Sequence, residues 1–217
     1  MDINIAMDFA REKHSGQKRK DGSEYIIHPF SVANRLRKSG YSEKYQIAGL
    51  FHDLLEDTDA TEEEIKKIAG SDVLEAVKLL TKTEANRKTY IKDILSNEIA
   101  KAVKNQDRID NLNDLKNSPL DFVERYLKNT EREYLGKFSD ELDQMYYKVL
   151  EWYDSMTKYE YTIDASLGLK SPIYRTSEQE AWIYRNGNWE PCDPMFWVDV
   201  GDNATSIPAD KVEEYIH

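Results

Sequence analysis

The sequence predicts a mainly α-helical chain, a helical bundle followed by a small β-rich C-terminal appendage, and three observations carry that expectation. Apolar residues recur at spacings of three and four through the first 156 residues, with helix breakers and capping residues between the runs. After Met156 the texture changes to alternating aromatic and β-branched residues. Asn186-Gly187 then separates two such runs, the strongest short-range hairpin signal. The expected domains are residues 1–156 for the helical body and 157–217 for the appendage.

The elements follow in order. Ile5, Ala6, Phe9 and Ala10 form a first amphipathic stripe, which leads into a polar turn from Gly16 to Glu24 containing Asp21-Gly22. A second helix is expected to start near Pro29, a residue favoured in a first turn, and to stop at Gly40. The third should run from about Glu43 to Asp57, and because Tyr45, Ile47, Ala48, Leu50, Phe51, Leu54 and Leu55 make it apolar almost all round, it should be buried. Thr61 and Glu64 have capping-box spacing for the next helix; Gly70 is a stop signal, beyond which Val73, Val77 and Leu80 continue the pattern. Two or three further helices cover roughly Lys88 to Asn117, Pro119 to Phe138 and Ser139 to Met156. In the appendage Tyr159, Tyr161 and Ile163 alternate, Trp182 to Arg185 pairs across Asn186-Gly187 with the run at Trp189, and Phe196 to Val200 reads as another strand. A short helix from about Ala209 to Ile216 closes the chain.

Composition narrows the function. The chain has 217 residues, of which 40% are hydrophobic and 11% aromatic, enough for a packed core despite 33% charged residues. A net charge of -11 argues against duplex nucleic acid and anionic membrane as partners. The charge is uneven: Met1 to Lys38 holds eight Lys/Arg against five Asp/Glu, whereas Glu151 to His217 holds five against thirteen. An anionic small molecule is therefore expected near Lys18, Arg19 and Lys20, the alternative being a solvated basic loop. Cys192 is the sole cysteine, which excludes an intrachain disulfide or a cysteine-based zinc cluster and suits a reducing compartment. The N-terminal MDINIAMDFAREKH lacks the basic and apolar regions of a signal peptide, and no stretch reaches membrane-spanning length, so a cytoplasmic location is expected.

Three of the four histidines fall within the first 52 residues. His52-Asp53 lies in the third expected helix, where an ionised aspartate beside an imidazole is costly unless positive charge compensates, and a metal ion would supply it. His28, ahead of the second helix, and Asp107, in VKNQDRIDNL, would complete a set of two imidazoles and two carboxylates. A hydrogen-bonded structural pair is the competing reading for His52-Asp53 alone. Glu56 and Asp57, three and four residues beyond Asp53, would share its helix face and could move a water's proton; alternatively they form a solvated helix end before Thr58-Asp59.

The segments HSGQKRKDGSEYIIHP, LFHDLLEDT, TEEEI, LTK and VKNQDRIDNL, in this order and spacing, resemble the HD-domain hydrolases, and specifically the alarmone (ppGpp) hydrolase branch of the Rel/Spo family. The resemblance covers about His14 to Leu115 and implies an HD-domain helical bundle. It implies that His28, His52, Asp53 and Asp107 bind one Mn²⁺ and that Glu56 and Asp57 act on the attacking water. It further implies that Arg19 and Lys20 hold the nucleotide, the guanidinium stacking on the base, with Lys104 and Asn111 contacting sugar or phosphate. Such a donor set suits a first-row divalent metal better than Mg²⁺ or Ca²⁺, which prefer all-oxygen shells.

Other matched residues have structural readings beside the functional ones. His14 and Gln17 belong to the HxGQ stretch, where a histidine ending a helix is commonly a cap. Lys82 either reaches phosphate or is solvated, and Arg108 either pairs with Glu56 or Asp57 or forms an ordinary salt bridge. Position 114 is Asp, as in small members of this branch, where the long bifunctional enzymes carry a small hydroxyl residue. The expected activity is removal of the 3′-pyrophosphate from (p)ppGpp by a small stand-alone hydrolase whose partner is a small-molecule nucleotide and which could form a homo-oligomer. The alternatives are an HD phosphohydrolase acting on another nucleotide, such as the 2′-phosphate of NADPH or a nucleoside monophosphate, and a non-catalytic nucleotide-sensing or protein-binding module.

Overall fold

A computed structural model of the chain describes residues 1–19, 22–157, 160–164, 173–176, 181–185, 188–192 and 204–207, together with Val212 and Glu214. Its order is nine α-helices and then five strands among those residues: α1 (Ile3–Lys13), α2 (Ile27–Lys38), α3 (Glu43–Phe51), α4 (Leu54–Asp57), α5 (Glu62–Leu80), α6 (Tyr90–Leu95), α7 (Glu98–Asp114), α8 (Leu120–Glu133), α9 (Asp140–Thr157), β1 (Glu160–Asp164), β2 (Ile173–Thr176), β3 (Ala181–Arg185), β4 (Asn188–Pro191) and β5 (Ala204–Ile207). The fold is thus mainly α with a β-rich C-terminal part. The chain divides into two units, Met1–Ser118 with Tyr126–Tyr147, and Pro119–Arg125 with Lys148–His217.

In the first unit α3 is the central helix, since every residue from Gln46 to Phe51 is buried. Helices α1, α2, α5 and α7 pack around it. Gly49 permits the closest approach: a Cβ there would lie 2.8 Å from Leu36 Cδ1 and 3.4 Å from the Ala33 backbone of α2. Phe51, Leu36, Ile47, Leu50, Leu54, Ile65, Ile94, Ile109 and Leu112 are fully buried in this body. Side chains cap the starts of α1, α5 and α7: Asp2 accepts from the Asn4 N–H, Asn97 from the Ala100 N–H, and Thr61 and Glu64 form the expected reciprocal capping box.

Three expectations need correction. The expected third helix is broken at His52-Asp53 into α3 and the four-residue α4. Gly70, by contrast, acts as the expected stop: with φ 81° and ψ 175° it leaves helical geometry and separates two helical segments within α5, the second of which runs to Leu80. The helix expected from Lys88 to Asn117 is interrupted at Ser96-Asn97, where Asn97 caps α7, and it ends in a 3-10 turn, Leu115–Asn117. Ile5 is 56% exposed, so the buried face of α1 consists of Ala6 and Ala10, with Ile3, Met7 and Phe9 at its margin.

In the second unit the strands form one antiparallel sheet in the order β4-β3-β2-β1-β5. Arg185 pairs with Asn188, which leaves the two-residue connection at 186–187. Tyr174, Ala181 and Ile183 cluster with Cys192, and the Arg175 guanidinium lies 4.2 Å from the centroid of the Trp189 ring. Strands β2 and β5 were not anticipated, whereas the strand expected at Phe196 to Val200, the Asn186-Gly187 turn itself and all of the terminal helix except Val212 and Glu214 lie outside the described residues.

Candidate active site

Three segments distant in sequence meet at one polar centre in the helical unit. The first turn of α2 supplies His28, the break between α3 and α4 supplies His52 and Asp53, and the middle of α7 supplies Asp107 and Asp110. At the break Asp53 has φ -102° and ψ -1°, the sparsely populated bridge region in which active-site residues are often found.

Both imidazoles are tied back through Nδ1. His52 Nδ1 donates to the Gly49 carbonyl at 2.8 Å, an oxygen that can only accept, and His28 Nδ1 donates to Asp110 Oδ2 at 2.8 Å. The Ser31 hydroxyl donates to the other Asp110 oxygen. Each ring therefore turns Nε2 inward, which is how metal-ligating histidines are oriented from behind. His28 Nε2 lies 3.1 Å from Asp107 Oδ1; His52 Nε2 lies 2.9 Å from Asp53 Oδ2 and 3.8 Å from Asp107 Oδ1. One donor atom from each of His28, His52 and Asp107 falls within 4.8 Å of the other two. His52 Nε2 is buried, and its nearest polar neighbour is the Asp53 carboxylate. A buried, inward-facing nitrogen lone pair beside carboxylates, with a second imidazole opposite, suits a divalent first-row cation.

The electrostatics point the same way. Burial opposes ionisation of Asp107, but Lys104, whose Nζ donates to Asp107 Oδ2 at 2.8 Å, and the two imidazoles hold its pKa well below the carboxylate range. Burial likewise opposes Asp53, and His52 outweighs it, bringing its pKa to about 2. Burial disfavours a charged His28, yet its hydrogen bonds to Asp107 and Asp110 push it up to about 10. Without a metal, the carboxylates recruit a proton onto His28 as their counter-charge.

Around this centre a cavity of about 370 Å³ is lined by Arg19, Tyr25, Glu56, Asp57, Lys82, Tyr90, Lys104, Arg108, Asn111, Asn129 and Tyr134, among others. Asn111 Nδ2 donates to Asp107 Oδ1 at 2.6 Å, so Lys104 and Asn111, one turn either side of Asp107, both brace it. Arg19 pairs with Asp114 at 2.8 Å. Glu56 accepts from the Lys82 backbone N–H at 3.0 Å, and Lys82 Nζ sits 5.5 Å from the centroid of the Tyr90 ring. Glu56 and Asp57 line the cavity but are exposed, which corrects the expectation of a buried acidic helix face; α4 buries Leu54 in the core while these two carboxylates reach solvent. Arg108 is also reassigned: its guanidinium lies between the rings of Tyr126 and Tyr134, 3.9 and 4.0 Å from their centroids, and donates to Asn129 rather than to Glu56 or Asp57. His14 caps α1 and is buried, its Nδ1 2.7 Å from Gln17 Oε1. Lys20 lies outside the described residues.

Comparison with known proteins matches this arrangement to a family. The HD domain family matches residues 6–115, about half of the chain. The chain belongs to that family. Among curated relatives, a guanosine-3′,5′-bis(diphosphate) 3′-pyrophosphohydrolase of Aquifex aeolicus is 51% identical over 81 residues, covering 37% of this chain and 12% of that protein. The MESH1 enzyme of Danio rerio, of the same designation, is 38% identical over 119 residues, covering 50% of this chain and 66% of that protein. This chain thus spans only 11–12% of the length of the first curated relatives it matches. A solved structure of a metazoan ortholog of SpoT, described as hydrolysing ppGpp with a role in starvation responses, superposes with a TM-score of 0.57 at 25% identity, covering 67% of this chain and 94% of that one.

Several residues of the HD domain cavity escape a reading by motif. Asp110 and Tyr25 lie inside segments singled out above, three residues from Asp107 and from His28, a spacing that places Asp110 on the next turn of α7. Tyr126, Asn129 and Tyr134 come from α8 and the turn after it, beyond the matched segments, and no local signal marks them.

Proposed function

We propose that this chain is a Mn²⁺-dependent pyrophosphohydrolase that removes the 3′-pyrophosphate from (p)ppGpp, giving GDP or GTP and pyrophosphate. The observation that carries the reading is the pair of imidazoles, each anchored at Nδ1, facing two carboxylates in a cavity walled by Arg19, Lys82 and Lys104. His28, His52, Asp53 and Asp107 would hold one Mn²⁺ per chain. Bound there, the cation would supply Lewis acidity to activate water and offset charge on a phosphoryl oxygen. The side chains of this protein do the rest. Glu56 and Asp57, at the solvent side of the cavity, accept and deliver protons at the attacking water and the leaving oxygen. Arg19 and Lys20 hold the nucleotide, Lys104 and Asn111, which also brace Asp107, contact sugar or phosphate, and Lys82 offsets phosphate charge.

The wider expectations belong to the same proposal. Residues 1–156 form the hydrolase domain and 157–217 a separate β-rich segment, and the protein works in the cytoplasm, in keeping with its single cysteine. Among the described residues no helix is long and apolar enough to cross a membrane.

Product analysis tests the reading. Purified protein with Mn²⁺ is given ppGpp, pppGpp, NADPH and nucleoside monophosphates. Pyrophosphate with GDP or GTP is the expected result. Orthophosphate from NADPH or a monophosphate, with ppGpp untouched, assigns the site to another nucleotide; no turnover despite bound metal favours a non-catalytic nucleotide-sensing or protein-binding module.

A further inference from the structure

We propose that Tyr25 is a positioning residue of the hydrolytic site, its hydroxyl joining the carboxylate of Asp53 to that of Asp57. The inference rests on the function proposed above, in which the first carboxylate is a metal ligand and the second handles protons. Tyr25 Oη lies 2.6 Å from Asp53 Oδ2 and 3.2 Å from Asp57 Oδ2. A phenol has one proton to donate, so the shorter contact is the principal bond and the longer one a shared, weaker arm.

The hydroxyl itself is held from behind. The Tyr25 N–H donates to the Gln17 carbonyl at 3.0 Å, and Gln17 Nε2 donates to the Asp57 carbonyl at 2.6 Å. The His14 ring, whose Nδ1 meets Gln17 Oε1, lies 5.0 Å from the Tyr25 ring, centroid to centroid. Asp57 is thus reached at its backbone by Gln17 and at its side chain by Tyr25. It needs both, because it is the last residue of a four-residue helix and its side chain is otherwise free in solvent. The same hydroxyl fixes Asp53, whose Oδ2 is also the oxygen 2.9 Å from His52 Nε2. Groups that orient a metal ligand from outside are worth about 10- to 100-fold in metal affinity or activity.

Tyr25→Phe removes one oxygen and keeps the ring. In the full chain we expect the Kd for Mn²⁺, measured by calorimetry, to rise about 10-fold, and kcat on ppGpp to fall about 10- to 100-fold with KM within about threefold. The losses in kcat from Tyr25→Phe and Asp57→Asn should combine less than multiplicatively, as expected of groups acting together. Mn²⁺ affinity and kcat both within twofold of wild type would overturn the proposal, as would a lowered Tm with wild-type kcat and Mn²⁺ affinity per folded molecule. If the wild type binds Mn²⁺ yet leaves ppGpp intact, the substrate reading fails and Tyr25 is judged on Mn²⁺ affinity alone: a raised Kd in Tyr25→Phe supports it and an unchanged one overturns it.

Discussion

Glu56 and His52 stand only four residues apart, yet the structure gives them opposite surroundings, and substitutions should separate them. His52→Ala removes a buried inward-facing nitrogen, so Mn²⁺ content by elemental analysis should drop to background together with turnover. Glu56→Gln keeps the shape and the bond from the Lys82 N–H while removing the proton acceptor; metal content should stay near wild type while kcat falls by about 10²- to 10⁴-fold. Equal activity would make Glu56 a structural residue. Arg19 offers a third test. Its pairing with Asp114 leaves the planar guanidinium at the cavity wall, so Arg19→Lys should cost about 0.5–2 kcal/mol in kcat/KM for a purine substrate and less for a pyrimidine analogue. An equal loss on both would reduce Arg19 to a phosphate contact. At this scale the sequence named most residues that line the cavity, because short motifs preserve local spacing. It was silent about Asp110 as the anchor of His28 and about the tyrosines around Arg108, since those contacts join residues as much as 82 positions apart.

Among the elements, the helix break at His52-Asp53 was hidden by the very apolar continuity that made α3 recognisable as buried. Leu54 and Leu55 extend the hydrophobic run past the point where the backbone stops being helical, so periodicity alone joins α3 to α4. Gly70 shows the converse. The glycine read as a stop does leave helical geometry, and the helical pattern resumes beyond it, with Ala69 buried on one side and Val73 on the other. Its φ of 81° with ψ of 175° lies in a region that is essentially glycine's own, and a Cβ there would meet no neighbour, so the cost of replacing it is purely conformational. Gly70→Ala should therefore lose about 1–3 kcal/mol of stability, seen as a lower midpoint in urea unfolding, while kcat on folded protein is retained. Gly49→Ala differs in kind. Its Cβ would press on Leu36, and because the Gly49 carbonyl holds His52, both stability and Mn²⁺ affinity should fall.

For the whole molecule, the charges gathered at the centre predict how stability follows pH. His28 is raised from 6.5 to about 10, so its contribution is complete below pH 6.5 and is lost as pH rises toward 10. Asp53 is lowered from 3.8 to about 2 and Asp107 is shifted the same way, so theirs is complete above pH 3.8 and is lost as pH falls through their folded values. Metal-free protein should accordingly show a Tm that declines on both sides of a mildly acidic plateau. Saturating Mn²⁺ should abolish the alkaline decline, because the cation replaces the proton on His28, and should add about 2.7 kcal/mol at one hundred times Kd. A flat alkaline limb in chelator would refute the assignment of His28. The mainly helical class and the β-rich tail were legible from periodicity, and the meeting of α2, the break and α7 was legible only through motif order, which no composition or local propensity contains. That meeting also sets a schedule. His28 and Asp107 are 79 residues apart, so at roughly 5–20 residues per second a growing chain waits on the order of 4–16 s between synthesising the first and the second. During that interval the nascent N-terminal half has an imidazole with no carboxylate behind it, and no cation can be captured by the full set until α7 has left the ribosome.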